Sequence, residues 1–300
     1  MDGLTLTYEE LSRRGADAVR RGDWPSAGLC FREARALCED DPDPHRRDVA
    51  DLNLARVLIE TGEAHRGEEG LREILLRATD PRLAWHAAYH LASSLRKQAR
   101  FDRALSYARR SLERARTLDA PDLLASSHNL LGNILLGQSW LTDALTEYRA
   151  ALALREAQEG DTRYGRAILE ENLGYCLLLL HRFEEGRSRI RAALALAEEI
   201  GDRRCRAECL QDLCYAEILN GSLEEARPLG TLALADAEAM GYTDIEENAH
   251  YLLGEIGNRT GDDTLRDRHF GRLQASHPDL PFLKEFLCAV DVTGIITLKR

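Results

Sequence analysis

The chain has 300 residues, 44% of them hydrophobic and 30% charged, and carries a net charge of −11. No uninterrupted apolar run approaches the ~20 residues that span a bilayer, the opening MDGLTLTYEELSRRG lacks a basic segment followed by an apolar one, and the acidic balance argues against a broad nucleic-acid surface. The seven cysteines, an odd number set inside helical patterns, fit free thiols in a reducing compartment, so the reading is a cytoplasmic protein with neither membrane nor nucleic acid as partner.

Along the chain, a helix, a tight break and a second helix recur. The first break is at Gly22, and Ala27 is the small residue just inside the helix that follows. After the polar link DDPDPHRR (40–47) the arrangement returns around Gly67, then around Ala104, Ala144, Gly186 and Ala226, with Arg266 in the seventh place. The intervals between these pivots are 40, 37, 40, 42, 40 and 40 residues. Twelve residues before each pivot stand Gly15, Ala55, Ala92, Gly132, Gly174, Cys214 and Gly254, all small, and one residue earlier the chain has Leu in every repeat except the first, where Arg14 stands. Five residues before each pivot come Gly22, Gly62, Ala99, Ser139, His181, Gly221 and Gly261, where a helix stops and the chain reverses.

Small residues in both helices let their backbones approach closely, and the Leu fills the space beside that contact. Gly at the break adopts the positive φ that ends a helix cheaply. Each helix pair leaves an apolar face that the next pair covers, so stability accumulates by stacking. This in-phase pattern, over about residues 7 to 276, resembles the tetratricopeptide repeat. The usual repeat has about 34 residues; the longer repeat here is similar to those of kinesin light chains and of bacterial peptide-sensing regulators. The resemblance implies an all-α fold, a right-handed superhelical solenoid of about seven repeats over residues 1–278. A capping helix and extended tail follow over 279–300.

That last segment reads DLPFLKEFLCAVDVTGIITLKR. Pro281 suits the first turn of a helix, with Phe282, Leu283, Phe286 and Leu287 forming one apolar face that caps the last repeat. Beyond Val290 the chain turns β-branched, with Ile295, Ile296 and then Leu298. A cap does not need that. These residues, with Phe286, suit a tail that adds to a partner's sheet edge, docks in a neighbour's groove or folds back into its own.

Two clusters look like chemistry. HAAYH (86–90) sets His86 and His90 one turn apart, but Ala87 stands where a zinc protease needs its Glu, and no third ligand is apparent. Cys205, Cys209 and Cys214 lie along one helix, and Cys214 takes the small packing position of the repeat, which reads as core. No Gly-rich phosphate loop or Ser-His-Asp arrangement is apparent. The expectation is therefore no enzyme, no cofactor and no metal.

The resemblance implies that the first helix of each repeat lines a concave groove. In chain order the groove candidates are Asn53 and Arg56; His86, Tyr89, His90, Ser93 and Arg96; Asn129 and Asn133; Glu171, Asn172 and Tyr175; Gln211, Asp212 and Tyr215; and Tyr251 and Glu255. Asn offers a peptide backbone both donor and acceptor, and Tyr supplies apolar area with a polar tip. Basic residues lie towards the N-terminal half and Glu171, Glu208, Asp212 and Glu255 towards the C-terminal half, which sets the polarity of a ligand. The expected function is a non-catalytic scaffold holding an extended segment or a helix of another protein or peptide. The alternatives are a peptide-responsive regulator that signals through a separate chain and an accessory subunit that positions a catalytic partner.

Overall fold

The computed structural model describes residues 6–39, 41, 43–293, 298 and 299. Among these it contains fifteen α-helices and no strand. None of the helices is long and apolar enough to cross a membrane. The chain forms two compact units, residues 1–138 and 139–300. The first holds α1 (Tyr8–Arg20), α2 (Trp24–Ala36), α3 (Pro44–Glu60), α4 (Ala64–Arg77), α5 (Pro81–Lys97), α6 (Phe101–Thr117) and α7 (Pro121–Gly137). The second holds α8 (Leu141–Glu156), α9 (Arg163–Leu179), α10 (Phe183–Ile200), α11 (Arg203–Leu219), α12 (Leu223–Met240), α13 (Thr243–Thr260), α14 (Asp263–Ser276) and α15 (Leu283–Ala289). The architecture is an all-α array of repeated helix hairpins.

The helix starts are written locally. Thr7 and Glu10 form a reciprocal capping box at α1, the Thr7 hydroxyl accepting from the Glu10 amide at 3.2 Å and the Glu10 carboxylate from the Thr7 amide at 2.9 Å. Asp43 caps α3, accepting from the His45 amide, and Pro44 takes its first turn. The polar stretch 40–47, read from sequence as a link, therefore already contains the start of a helix. All seven breaks have positive φ, from 55° at Ala99 to 94° at Gly62, although Ala99, Ser139 and His181 are not glycine.

Inside the hairpins the small positions do what their recurrence implies. A Cβ on Gly174 would lie 2.9 Å from the Gly186 carbonyl oxygen and 2.5 Å from the Ile190 side chain, so α9 and α10 meet backbone to backbone. The last hairpin lacks a small pivot, since Arg266 stands there. Its close approach moves to Gly257 of α13, where a Cβ would lie 2.5 Å from the Arg266 amide nitrogen. Ala27, Ala104, Ala144 and Ala226 are fully buried, as is Cys214. Burial pushes the Cys176 thiol up to about 11 and the Cys209 and Cys214 thiols up as well, hydrogen bonding from Cys205 acting first at Cys209.

The segment after α14 departs from the expected cap. Phe282 is in the left-handed region (φ 68°) and precedes α15 instead of joining its apolar face. Phe282 and Phe286 are exposed, and Leu287 is the residue of this helix that is buried. The helix α15 packs on α14 with Leu287 buried and Phe286 left on the outer side.

Candidate functional site

The second unit concentrates polar side chains on one face of α9, α11 and α13. Spacings of three and four residues align Glu171 and Tyr175 on α9, Glu208, Asp212 and Tyr215 on α11, and Asn248, Tyr251, Glu255 and Arg259 on α13. Because the repeat is 40 residues here, Asn172 and Asp212 occupy the same place on the first helices of successive repeats, as do Tyr175 and Tyr215. Their rings are 6.2 Å apart between centroids.

The described residues of the C-terminal segment, 291–293, 298 and 299, lie against this face. The Tyr215 hydroxyl donates to the Thr293 carbonyl oxygen at 2.9 Å, and the Tyr251 hydroxyl and Thr293 Oγ1 are hydrogen-bonded at 3.0 Å. Arg259 donates to the Asp291 carboxylate at 2.9 Å and to Glu255 at 2.6 Å. Further along, the Leu298 amide donates to the Tyr175 hydroxyl at 2.9 Å and the Asn248 side-chain amide donates to the Leu298 carbonyl oxygen at 2.8 Å. Val292, Thr293 and Leu298 are buried, and beneath them Tyr175, Tyr215 and Tyr251 are 0%, 1% and 6% exposed.

Lys299 completes the contact. Its ammonium donates to the Glu171 carboxylate and, at 3.2 Å, to Asn172 Oδ1; it lies 3.6 Å from Asp212 Oδ2 and 5.0 Å from the centre of the Tyr175 ring. Burial and the neighbouring Glu171 push the Glu208 carboxyl up to about 7, and burial raises Asp212 well above the usual carboxylate range. Burial alone would lower Lys299, but the charges of Glu171, Asp212 and Glu208 outweigh it and hold the ammonium protonated. Burial also pushes the Tyr215 hydroxyl up to about 12, so it remains a donor across the neutral range.

The structure thus brings together Glu171, Asn172, Tyr175, Gln211, Asp212, Tyr215, Tyr251 and Glu255. Leu298 lies on them, whereas Phe286 projects from α15 and Ile295 and Ile296 lie outside the described residues. Asn248, Arg259, Thr293 and Lys299 belong to the same cluster but were not singled out from the sequence. Asn248 had a legible signal, standing forty residues after Glu208; Lys299 had none, because its partners are more than eighty residues away.

The remaining candidates belong to the first unit. Arg56 donates to Asn53 Oδ1 at 3.5 Å, and burial lowers its basicity. On α5, Tyr89 stacks on Trp85 at 4.9 Å and His86 on His90 at 6.1 Å, and Lys97 is paired with Glu60 at 2.7 Å. Burial lowers both His86 and His90, so both are neutral near pH 7 and offer a donor and an acceptor each. Arg56, His90 and Ser93 border a cavity of ≈ 90 Å³ with Trp24, Ile59, Glu60 and Ser94. Arg96, Asn129 and Asn133 are half-buried. Among the described residues one group has three possible metal-ligand atoms within 4.8 Å of one another, Glu238, Glu246 and His250. His250 is already hydrogen-bonded through Nδ1 to His269 at 2.8 Å.

A family model, the tetratricopeptide repeat-like domain, matches residues 9–173, just over half of the chain. The chain belongs to this family. No curated protein matches this tetratricopeptide repeat protein. Among solved structures it is similar to the apo form of RapI, with a TM-score of 0.69 and 16% identity over 90% of this chain and 97% of that one. It is also similar to a Rap protein complexed with competence and sporulation factor, with a TM-score of 0.70 and 15% identity over 95% of this chain and 79% of the other. A third is the Rap conjugation gene regulator of the plasmid pLS20 in complex with the Phr* peptide, with a TM-score of 0.69 and 13% identity over 97% and 76% of the two chains. At these identities the likeness is one of fold.

Proposed function

We propose that this tetratricopeptide repeat protein is a non-catalytic cytoplasmic binding protein that holds an extended peptide segment on the α9–α11–α13 face. The observation that carries the reading is that Tyr175, Tyr215 and Asn248 direct their polar tips at main-chain atoms of Leu298 and Thr293. Main-chain recognition needs no particular side chain, so other segments can make the same bonds. A Rap protein of the same fold is known in complex with the Phr* peptide, which supports this use of the fold. The occupied face favours a responsive regulator over a passive scaffold, because an incoming segment must replace one that is already seated.

The test is peptide selection from a random library on the chain shortened to end at Val290, counter-screened on the same chain carrying Y175F, Y215F and N248L. Phe keeps the buried rings; Ala at Tyr175 or Tyr215 would cost about 3–5 kcal/mol of packing and confuse binding with unfolding. Peptides that bind the shortened chain and lose at least about tenfold in affinity on the variant support the reading. Peptides indifferent to the three changes overturn it.

A further inference from the structure

The chemistry around Lys299 specifies more than a place for a backbone. Resting on the groove reading above, we propose that Glu171, Asn172, Asp212 and the Tyr175 ring form a recognition pocket for a primary ammonium. The partner segment delivers a lysine preceded by an aliphatic residue into it, and the chain's own Leu298–Lys299 is the resident competitor.

Four observations converge. The Lys299 ammonium is met by oxygens of Glu171, Asn172 and Asp212 from two different helices and by one ring face. That arrangement suits a compact ammonium with three donors, whereas a planar guanidinium asks for a pair of parallel acceptors. Asp212 is fully buried, and among the described residues its Oδ2 has no hydrogen-bond partner, nor has the buried Gln211 Oε1 beside it. An acceptor in that state favours a cation over an empty pocket. Two carboxyl groups, Glu171 and Asp212, face the one ammonium, while Glu208, one turn before Asp212, is paired with Arg204 at 3.0 Å. Finally, the residue before the lysine is fixed in kind: Leu298 is buried and both its amide and its carbonyl are bonded, to Tyr175 and Asn248. Aliphatic–lysine is the pair that this face reads.

At its far end the tail is held by the main-chain bonds of Leu298, the buried Leu298 side chain and the Lys299 ammonium. A partner segment with the same two residues reproduces all of them around the pocket. Arg259, which holds Asp291 and Thr293, keeps the near end of the tail in place while its far end is exchanged.

The experiment measures fluorescence anisotropy of a labelled peptide with the sequence of residues 291–300, DVTGIITLKR, and of two versions carrying Gln or Arg for the lysine. Each is titrated into the intact chain, into the intact chain carrying K299Q, and into the chain ending at Val290, with helicity of each checked by circular dichroism. The lysine peptide is expected to bind both altered chains about tenfold or more tighter than the intact one, and the Gln and Arg peptides to bind about tenfold or more weaker than the lysine peptide. K299Q guards against loss of fold in the shortened chain, because it keeps the tail. Equal binding of lysine and Gln or Arg peptides overturns the ammonium pocket while leaving the groove reading standing. No binding of any peptide to either folded altered chain overturns both. Binding to the intact chain as tight as to the altered ones overturns the resident competitor. Dimerisation of the intact chain that K299Q abolishes would make the occupant a second copy's tail and overturn a separate partner.

Discussion

Glu208 joins titration to folding in the second unit. Its carboxyl rises from the usual 4.5 to about 7 because burial and Glu171 disfavour its charge. A carboxyl raised on folding stabilises the protein fully below its unfolded value, and that contribution is lost as pH rises through the folded value. Between pH 4.5 and 7, then, Glu208 weakens the folded state as it ionises. Glu208→Gln keeps the neutral form throughout. The urea midpoint of the variant is expected to gain on that of the parent as pH rises through this window, and parallel curves would contradict the account. The acidic members of the site were legible from sequence, because the repeat phase places Glu171, Glu208 and Asp212 on first helices. What they hold was not, since Leu298 and Tyr175 are 123 residues apart and no periodicity spans that distance.

At the scale of the helix hairpin, three of the seven breaks, at Ala99, Ser139 and His181, carry unrelieved backbone cost. Ala99 holds φ at 55° without the freedom of glycine. Left-handed geometry costs an L-residue about 1–2 kcal/mol, and glycine returns part of that gain as chain entropy. Ala99→Gly is therefore expected to raise stability by about 0.5–1 kcal/mol in chemical denaturation. The opposite holds where helices touch. Gly174→Ala sets a methyl group against the Gly186 carbonyl and Ile190, and is expected to lose at least about 1–3 kcal/mol; an unchanged midpoint would mean that the two helices separate at no cost. These elements could be read from one chain because the same requirement recurs in each repeat and the residue types answer it each time. The segment around α15 has no repeat to compare with. Its apolar spacing suggested a helix from Pro281, while Phe282 in fact turns the chain before Leu283.

For the whole molecule, the described tail contacts fall within residues 139–300, on α9, α11 and α13. Ending the chain at Val290 is expected to speed amide hydrogen exchange in those three helices and to leave α1 to α6 as in the parent. Uniform acceleration through both units would instead mean that the tail is needed for the entire fold. The three tyrosines beneath the tail also have an optical consequence. Of nine tyrosines in the chain, Tyr175, Tyr215 and Tyr251 sit together and nearly dry under it, whereas Trp24 and Trp85 belong to the first unit and Trp140 is 52% exposed. Lifting the tail wets three adjacent phenol rings while each indole keeps its surroundings. The molecule therefore carries its own label-free chromophore: a near-ultraviolet dichroism change confined to the tyrosine band would report an emptied groove.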